Sequence, residues 1–517
     1  MCSTVLGTLT YTPRLLSVNF QGSLGSMSSF GTLYNEVAST PPDVLTWTGN
    51  VSTHACEPRK RNLFLQRLYE EEQDSLTQEN AVNGGKNKPQ REIEDEDIVE
   101  VLENGVQYWT DFSKVHYHPQ SLYEMSGLWV GVQEFDSYGI GRDTSWALRE
   151  EISERLRFFV EECDHIQGFQ FIVNDSGGFS SVGADFLENI ADEYTNTPVL
   201  LYAVKDPGSH MVPKSQKQVV SKNLHDAISF SRLSSFCKLI VPVGLPSLRR
   251  TSTFLCVEDE KPYHCSAVYA SALHAISLPF RMEPLGPSAD SCYFSGAVDI
   301  RGVVEILAGQ ARQNRVTILD VAMPAPSLTG KQVEQSFLGN LQTLTPEISE
   351  DVEDLQAVES MTIHGALGSG GHRAPVSEVK DMVRAAYENA TTRPRFCNLS
   401  VALCPLPIPL PFPKIFGNLV GQHGELLGSP VDSPLRGSLD VHSIPLAARL
   451  RSSSAVLPFL ENRLGNIRRL GIQQGAAGAE IVRNLGYGKD ELEDMGETLS
   501  KMVLELDPYS QMSSDSD

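Results

Sequence analysis

The sequence predicts an α/β fold built on a parallel sheet, and one segment carries most of this prediction. Residues 169–173 are an apolar run suited to a buried strand, and residues 184–194 have apolar positions at helical spacing. A second apolar run, residues 199–204, follows a proline. Strand, loop, helix and strand form the repeating unit of parallel sheets. Because 517 residues exceed one ordinary core, we expect two or three domains.

The loop between this strand and helix is the first candidate binding site. Backbone N–H groups converge in such loops, and the dipole of the following helix favours an anion. The loop matches neither G-x-x-x-x-G-K-[ST] nor G-x-G-x-x-G, and on spacing alone a tight turn that needs small residues is the favoured explanation. The candidate phosphate-binding residues are Ser176, Gly177, Gly178, Ser180, Ser181 and Gly183.

Composition excludes several function classes. The net charge of −23 argues against bulk nucleic-acid binding and against adsorption onto anionic lipid. The nine cysteines are scattered without a C-x-x-C pair, which favours free thiols in a reducing compartment over disulfides or zinc. No run of about 20 apolar residues predicts a transmembrane helix. The first residues lack the basic region and apolar core of a secretory signal.

Histidines and cysteines suggest weaker candidate sites. His116 and His118 form an H-x-H pattern that chelates metals on strands, but the following proline favours an extended turn. We expect packing or hydrogen-bonding roles for both. Cys256, His264 and Cys265 show no ligand spacing and no nucleophile pattern. The sequence therefore predicts neither a metal site nor a catalytic residue.

Shifts in composition divide the chain into five segments. Residues 73–104 are acidic and poor in apolar residues, which predicts a disordered linker, with a docking site for a basic partner as the alternative. Residues 341–375 combine an acidic run with clustered glycines and predict a second linker. The segments between them are an N-terminal part, 1–72, a central domain, 105–340, and a C-terminal domain, 376–517, with closing helices and a disordered tail.

Four stretches carry a resemblance to a known family. TYTPRLLSVNFQGSLGSM, WTDFSKVHYHPQSLYEM, RLRFFVEECDHIQGFQF with its SGGFS loop, and YHCSA together resemble the Misato (DML1) family of tubulin-like proteins. The resemblance covers most of residues 10–280. It extends more loosely into the last third through CPLPIPLPFP and a helical tail.

The resemblance implies a tubulin/FtsZ-like fold. That fold has a parallel Rossmann-like sheet with helices on both faces, a smaller α+β domain and C-terminal helices. The family begins with a strand and a phosphate loop that precede the first matching residue here, so an N-terminally shortened sheet is expected. The resemblance also implies a role in mitochondrial distribution, morphology and inheritance, exercised in the cytoplasm and at the outer surface of the mitochondrion.

Departures from tubulin weaken the nucleotide site that the resemblance implies. Tubulins have G-G-G-T-G-S-G where this chain has DSGGFSS. Asp175 places negative charge beside a polyphosphate, and Phe179 adds bulk where none is wanted. The YHCSA stretch lacks the carboxylate of the tubulin loop that completes a neighbour's GTPase site. GTP hydrolysis needs neutralised charge and a positioned water, and few of those parts remain.

Three functions therefore remain open. The first is a non-catalytic tubulin-like organiser that binds cytoskeletal or mitochondrial outer-surface proteins. The second is a GTP-binding switch or polymerising GTPase that takes GTP or GDP with Mg²⁺, because backbone N–H groups hold phosphate without particular side chains. The third is an assembly factor or chaperone acting on tubulin. Nucleic acid is not an expected partner, and the sequence leaves the oligomeric state open.

Overall fold

The computed structural model forms two compact units. The first comprises residues 1–130 and 148–165, and the second comprises residues 131–147 and 166–517. Everything below concerns the described residues, which are 2–5, 8–20, 22–25, 61–80, 93–125, 135, 137–206, 215–245, 254–283, 293–309, 314–328, 337–349, 352–368, 371–390, 393–473 and 476–506.

The first unit contains two small sheets and two helices of its own. Strands β1 (Cys2–Val5) and β2 (Thr8–Tyr11) form an antiparallel hairpin, and β3 (Ser17–Phe20) pairs in parallel with β4 (Leu122–Met125). The helices are α1 (Leu63–Asn80) and α2 (Asp95–Gly105), whose acidic first turn suits the positive end of the helix dipole. Helix α3 (Tyr138–Glu161) begins in the second unit and continues in the first.

The second unit starts with a three-stranded parallel sheet. Its order is β5 (Phe169–Asn174), β6 (Val199–Val204) and β7 (Leu239–Val243). Nearly every residue of β6 and β7 is buried, as expected for parallel strands covered on both faces. Helix α4 (Gly178–Glu193) follows β5, and α5 (Gln216–Ser235) follows β6.

The second sheet of this unit is mixed and has six strands, and a parallel bridge between Ile240 and Val316 links β7 to the start of this sheet. Its order is β10-β9-β17-β11-β12-β8, in which β11 pairs in parallel with β12 and antiparallel with β17. The strands are β8 (Phe294–Ser295), β9 (Ile318–Ala322), β10 (Gln342–Thr343), β11 (Val358–His364), β12 (Phe396–Ala402) and β17 (Leu446–Ser452). Two-stranded pairs join β13 (Leu406–Pro407) to β16 (Ser443–Ile444) and β14 (Phe416–Gly417) to β15 (Leu435–Arg436).

Helices cover both faces of the six-stranded sheet. Because side chains alternate along a strand, Leu319 and Leu450 point to one core and Ile363 and Ala447 to the other. Helices α6 (Pro262–Arg281) and α7 (Ile300–Gly309) pack on the first face, and α8 (Val376–Glu388) packs on the second. The chain ends in α9 (Leu457–Asn466), a π-helical turn over Ile467–Ile472, α10 (Ala476–Leu485) and α11 (Lys489–Leu506).

The structure corrects both predicted linkers. Residues 341–375 contain β11, whose seven residues are all buried in the middle of the sheet. Four of its seven residues are polar, and Glu359 among them is paired with Arg449, so composition hid the strand. Within residues 73–104, α1 reaches Asn80 and α2 begins at Asp95. The rest of that predicted linker, 81–92, lies outside the described residues, as does the predicted tail from 507 onward.

Prolines occur in two further segments of the second unit. The proline-rich stretch around Ile408 packs into the core of its own chain, where that side chain is 2% exposed. Helix α6 continues through Pro279 and ends at Arg281. No helix in the described part of the chain has both the length and the apolar content needed to cross a lipid bilayer.

A buried ion network ties three strands of the six-stranded sheet together. Arg449 on β17 contacts Asp320 on β9 through Nη2 at 2.7 Å and Glu359 on β11 through Nη1 at 3.2 Å. Arg451 also reaches Asp320, through Nε at 3.3 Å. Burial raises the pKa of Asp320, but the charges of the two arginines outweigh this and hold its pKa below the ordinary value. These four residues are the Arg449 network below.

Replacing the hub of the Arg449 network should destabilise the protein strongly. We expect Arg449→Met to lower the free energy of unfolding by about 3–5 kcal/mol, because it strands two buried carboxylates. Chemical denaturation measures the effect. The matched control is Arg384→Met, since Arg384 pairs with Asp381 at the surface, where both side chains are more than two thirds exposed, at 71% and 72%. Equal costs for the two variants would contradict a structural role for the network.

Candidate functional site

The candidate loop is shorter than the sequence predicts. Strand β5 ends at Asn174 and helix α4 begins at Gly178, so Ser180, Ser181 and Gly183 lie inside the helix. The sequence places the helix start at residue 184, because glycine and serine are weak helix formers. Packing overrides that preference, since the first turns of α4 are almost entirely buried.

Gly177 is the one loop position whose backbone demands glycine. It precedes the helix with a φ of 85°, which residues with a side chain rarely adopt. As the N-cap residue of α4, Gly177 makes no side-chain cap hydrogen bond. The helix N-terminus therefore keeps the general capacity of such ends to attract an anion.

The next glycine is needed for contacts within the protein. A Cβ on Gly178 would lie 2.5 Å from the ring of Phe135, and a Cβ on Gly141 would overlap the Gly178 carbonyl. Phe135 is buried and meets Phe179 edge to face, with ring centroids 5.1 Å apart. The Phe135 ring and the backbone of helix α3 at Gly141 thus pack directly against Gly178, where a side chain would not fit.

The remaining candidate side chains of α4 also serve internal packing. The Ser180 hydroxyl donates to the Gly177 carbonyl at 2.6 Å and lies 2.8 Å from the Ser229 hydroxyl on α5. Ser181 is fully buried. A Cβ on Gly183 would lie 2.8 Å from Val173, so this glycine lets α4 approach β5. Ser180 and Gly183 are explained by helix packing without a ligand.

Two carboxyl groups lie at the carboxyl ends of the parallel strands. Burial, reinforced by the nearby charge of Asp226, raises the pKa of Asp175 to about 7. Burial likewise raises the pKa of Asp226 on α5, and a hydrogen bond from Ser176 opposes the rise. The sequence signal for Asp175 was its place in the loop. Nothing in the sequence indicated that Asp226, fifty-one positions later (226 minus 175), would be its neighbour.

The nearest buried cation is already engaged. Arg463 on α9 lies beside Asp175 and Asp226 and lowers the pKa of both. Its guanidinium bonds Glu347 at 2.6 Å and stacks 3.5 Å from the centroid of the Phe459 ring. Arg463 therefore belongs to an internal ion pair. No signal in the sequence indicated this partner.

The histidine candidates have structural surroundings. The His118 ring stacks on Phe158 with centroids 4.8 Å apart, and its Nδ1 accepts a hydrogen bond from the Gln120 N–H at 3.1 Å. His264 and Cys265 are buried near the start of α6, while Cys256 is exposed. Among the residues that the structure describes, no three His, Cys, Asp or Glu side chains are grouped to hold a metal ion.

Phosphate fits this loop poorly. The helix N-terminus and the left-handed Gly177 are present, but Gly178 is covered by Phe135, the serines of α4 are buried, and Asp175 adds a carboxylate. Electrostatic stabilisation of a transferring phosphoryl group requires cationic or metal clamps around it. Arg463 does not supply one, because it is paired with Glu347.

The fold defines the class of protein first. Parallel strands with a glycine loop before α4, a mixed sheet covered by helices, and closing C-terminal helices form a tubulin-like α/β protein, as the sequence predicts. Residues 99–282 match the family model of the Tubulin domain. Residues 2–70 match the Misato Segment II tubulin-like domain.

Three relatives are similar to this chain, two of them over almost its whole length. Protein misato homolog 1 of Bos taurus is 26% identical over 97% of this chain and 88% of its own length, and that of Mus musculus is 27% identical over the same shares. Protein DML1 of Gibberella zeae is 26% identical over 53% of this chain and 51% of its own length. The chain is similar to Misato and DML1 proteins and matches two tubulin-like family models, which confirms the resemblance found in the sequence.

The raised pKa of Asp175 predicts a pH-dependent effect of Asp175→Asn. Above pH 7 the native wild-type protein carries a disfavoured charge, whereas the unfolded chain ionises near pH 4 at no cost. Stability of the wild type therefore falls as pH rises from about 4 to 7 through this group. We expect the variant to gain on the order of 1–2 kcal/mol at pH 8 and much less at pH 5.

Chemical denaturation at the two pH values checks this expectation. The control is Asp192→Asn, because Asp192 lies exposed on the same helix. Its effect should stay below about 0.5 kcal/mol at both pH values. An Asp175→Asn effect of the same size at pH 5 and pH 8 would show that Asp175 is ionised throughout this range.

Proposed function

We propose that this protein is a non-catalytic tubulin-like organiser. It acts through protein partners on the distribution, morphology and inheritance of mitochondria, from the cytoplasm and the outer mitochondrial surface. Similarity to Misato and DML1 proteins supports the class of protein. The observation that carries the non-catalytic part is the packing of Phe135 and Gly141 against Gly178 beside the carboxyl group of Asp175.

This packing removes the open glycine backbone that phosphoryl transfer would need to hold the phosphates. A tubulin-type loop wraps phosphates with flexible glycines that leave backbone N–H groups facing the ligand. Here Phe135 and Gly141 pack against Gly178, and the ionisable carboxyl group of Asp175 lies nearby in the same loop. The sheet and helices still give a rigid surface for partners, which is all that an organiser requires.

One observation favours a second candidate, a GTP-binding switch. Gly177, the N-cap residue of α4, makes no side-chain cap hydrogen bond, and the dipole of α4 favours an anion at this end of the helix. Binding through the backbone alone would permit a switch that holds GTP without hydrolysing it. Such binding would have to overcome the Asp175 charge at neutral pH.

Nucleotide binding separates these two functions. We expect isothermal calorimetry of the 517-residue protein with GTP or GDP and Mg²⁺ to give no saturable heat at nucleotide concentrations up to the millimolar range. Tubulin serves as the positive control, and circular dichroism establishes that the chain is folded. Micromolar binding would contradict the organiser and support the switch. If Asp175→Asn alone binds, the carboxyl group is the element that prevents binding.

Depletion in cells tests the proposed process. We expect mitochondria to fragment or cluster while microtubules keep their normal mass, and a tagged chain to fractionate with protease-accessible protein of the outer mitochondrial surface and with cytosol. Re-expression of the chain should restore mitochondrial shape. Loss of microtubule mass together with co-purification of tubulin would contradict this function and support an assembly factor acting on tubulin.

A further inference from the structure

A cavity of about 550 Å³ opens in the second unit where helix α8 ends against the six-stranded sheet. Sites for small molecules in proteins span roughly 300–1,000 Å³, so the volume suits an organic ligand. One wall is apolar and includes Leu338, Ala386, Ala390 and Pro394. This cavity shares no lining residue with the loop after β5.

The opposite wall is formed by charged side chains that are already held in place. Arg449 and Glu359 line it, and both belong to the buried Arg449 network. Glu359 also accepts a hydrogen bond from the Tyr387 hydroxyl. Asp354 accepts from the Ser454 N–H at 2.7 Å and from the Gln356 N–H at 3.0 Å. A rigid polar wall of this kind lowers the entropy lost when a ligand is held.

Arg451 is the incompletely paired charge of this wall. Its Nε donates to Asp320 at 3.3 Å, but the same carboxylate oxygen lies 2.7 Å from Arg449. In the described part of the chain, no acceptor bonds the two Nη atoms of Arg451. The side chain is 17% exposed and lines the cavity. A guanidinium with both Nη groups open is the geometry that binds a carboxylate through two parallel hydrogen bonds.

We propose that this cavity binds a small organic monocarboxylate. The carboxylate accepts from both Nη groups of Arg451, and the apolar remainder lies against Leu338, Ala386 and Ala390. A single negative charge is preferred, because Asp354 and Glu359 also line the site and repel a dianion such as a phosphate monoester. A neutral ligand of the same shape would leave the arginine without its partner.

Matched ligands test the proposal without altering the protein. The probes are benzoate and 2-naphthoate, their amides benzamide and 2-naphthamide, and phenyl phosphate, measured by calorimetry and by thermal unfolding of the full chain. We expect saturable binding and a raised Tm with the carboxylates, weaker binding of phenyl phosphate, and none with the amides. No carboxylate binding, or equal binding of carboxylate and amide, would overturn the proposal.

Variants then locate the site. Arg451→Gln should weaken carboxylate binding at least about tenfold, because it removes a charge-assisted pair of hydrogen bonds. Ala390→Phe should abolish binding by filling the cavity while leaving every charge in place. The control is Arg395→Gln, since Arg395 is exposed and does not line the cavity. Undiminished binding by the folded Ala390→Phe variant would place the ligand elsewhere, even if Arg451→Gln proved too unstable to measure.

Discussion

The Arg449 network is the constraint on which the second unit depends. One guanidinium joins β17 to β9 and, on the other side, to β11, three strands that are far apart in the sequence. Buried carboxylates are costly unless they are paired, so Asp320 and Glu359 are stable only when these strands lie in the observed register. A shift of one residue would turn Arg449 to the opposite face, where α6 and α7 supply an apolar core. The network therefore selects one register among alternatives that hydrophobic burial alone would tolerate.

The same face of the sheet is divided between two kinds of contact. Toward one end, Ala322, Ile363 and Ala447 form an apolar surface on which α8 packs. Toward the other end, the Arg449 network lies beside the end of α8, where the Tyr387 hydroxyl donates a hydrogen bond to Glu359. A helix cannot pack closely over a charged row, and the cavity lies where the apolar contact stops. The position of the cavity thus follows from the position of the network.

The sequence predicted elements whose signal is local and missed contacts that depend on the fold. Strands β5, β6 and β7 were predictable because their apolar runs are bounded by turn residues. Strand β11 was not, because four of its seven residues are polar and its glutamate becomes compatible with burial only when Arg449 arrives from β17. The start of α4 was misplaced for the reverse reason, since glycine and serine predict a loop unless close packing requires small residues.

The glycines of the candidate site do not by themselves identify a bound ligand. Glycines between a strand and a helix indicate that something approaches the backbone closely, and the sequence cannot tell a phosphate from another part of the protein. At Gly177 the requirement is conformational, and at Gly178 the approaching groups are Phe135 and the helix that contains Gly141. Asp175 adds an independent reason against a phosphate, since its pKa near 7 results from burial beside Asp226. A site kept for polyphosphate would place a cation where this chain places two carboxyl groups. Lys205, Lys222 and Arg463 lower the pKa of both carboxyl groups, and Arg463 is paired with Glu347.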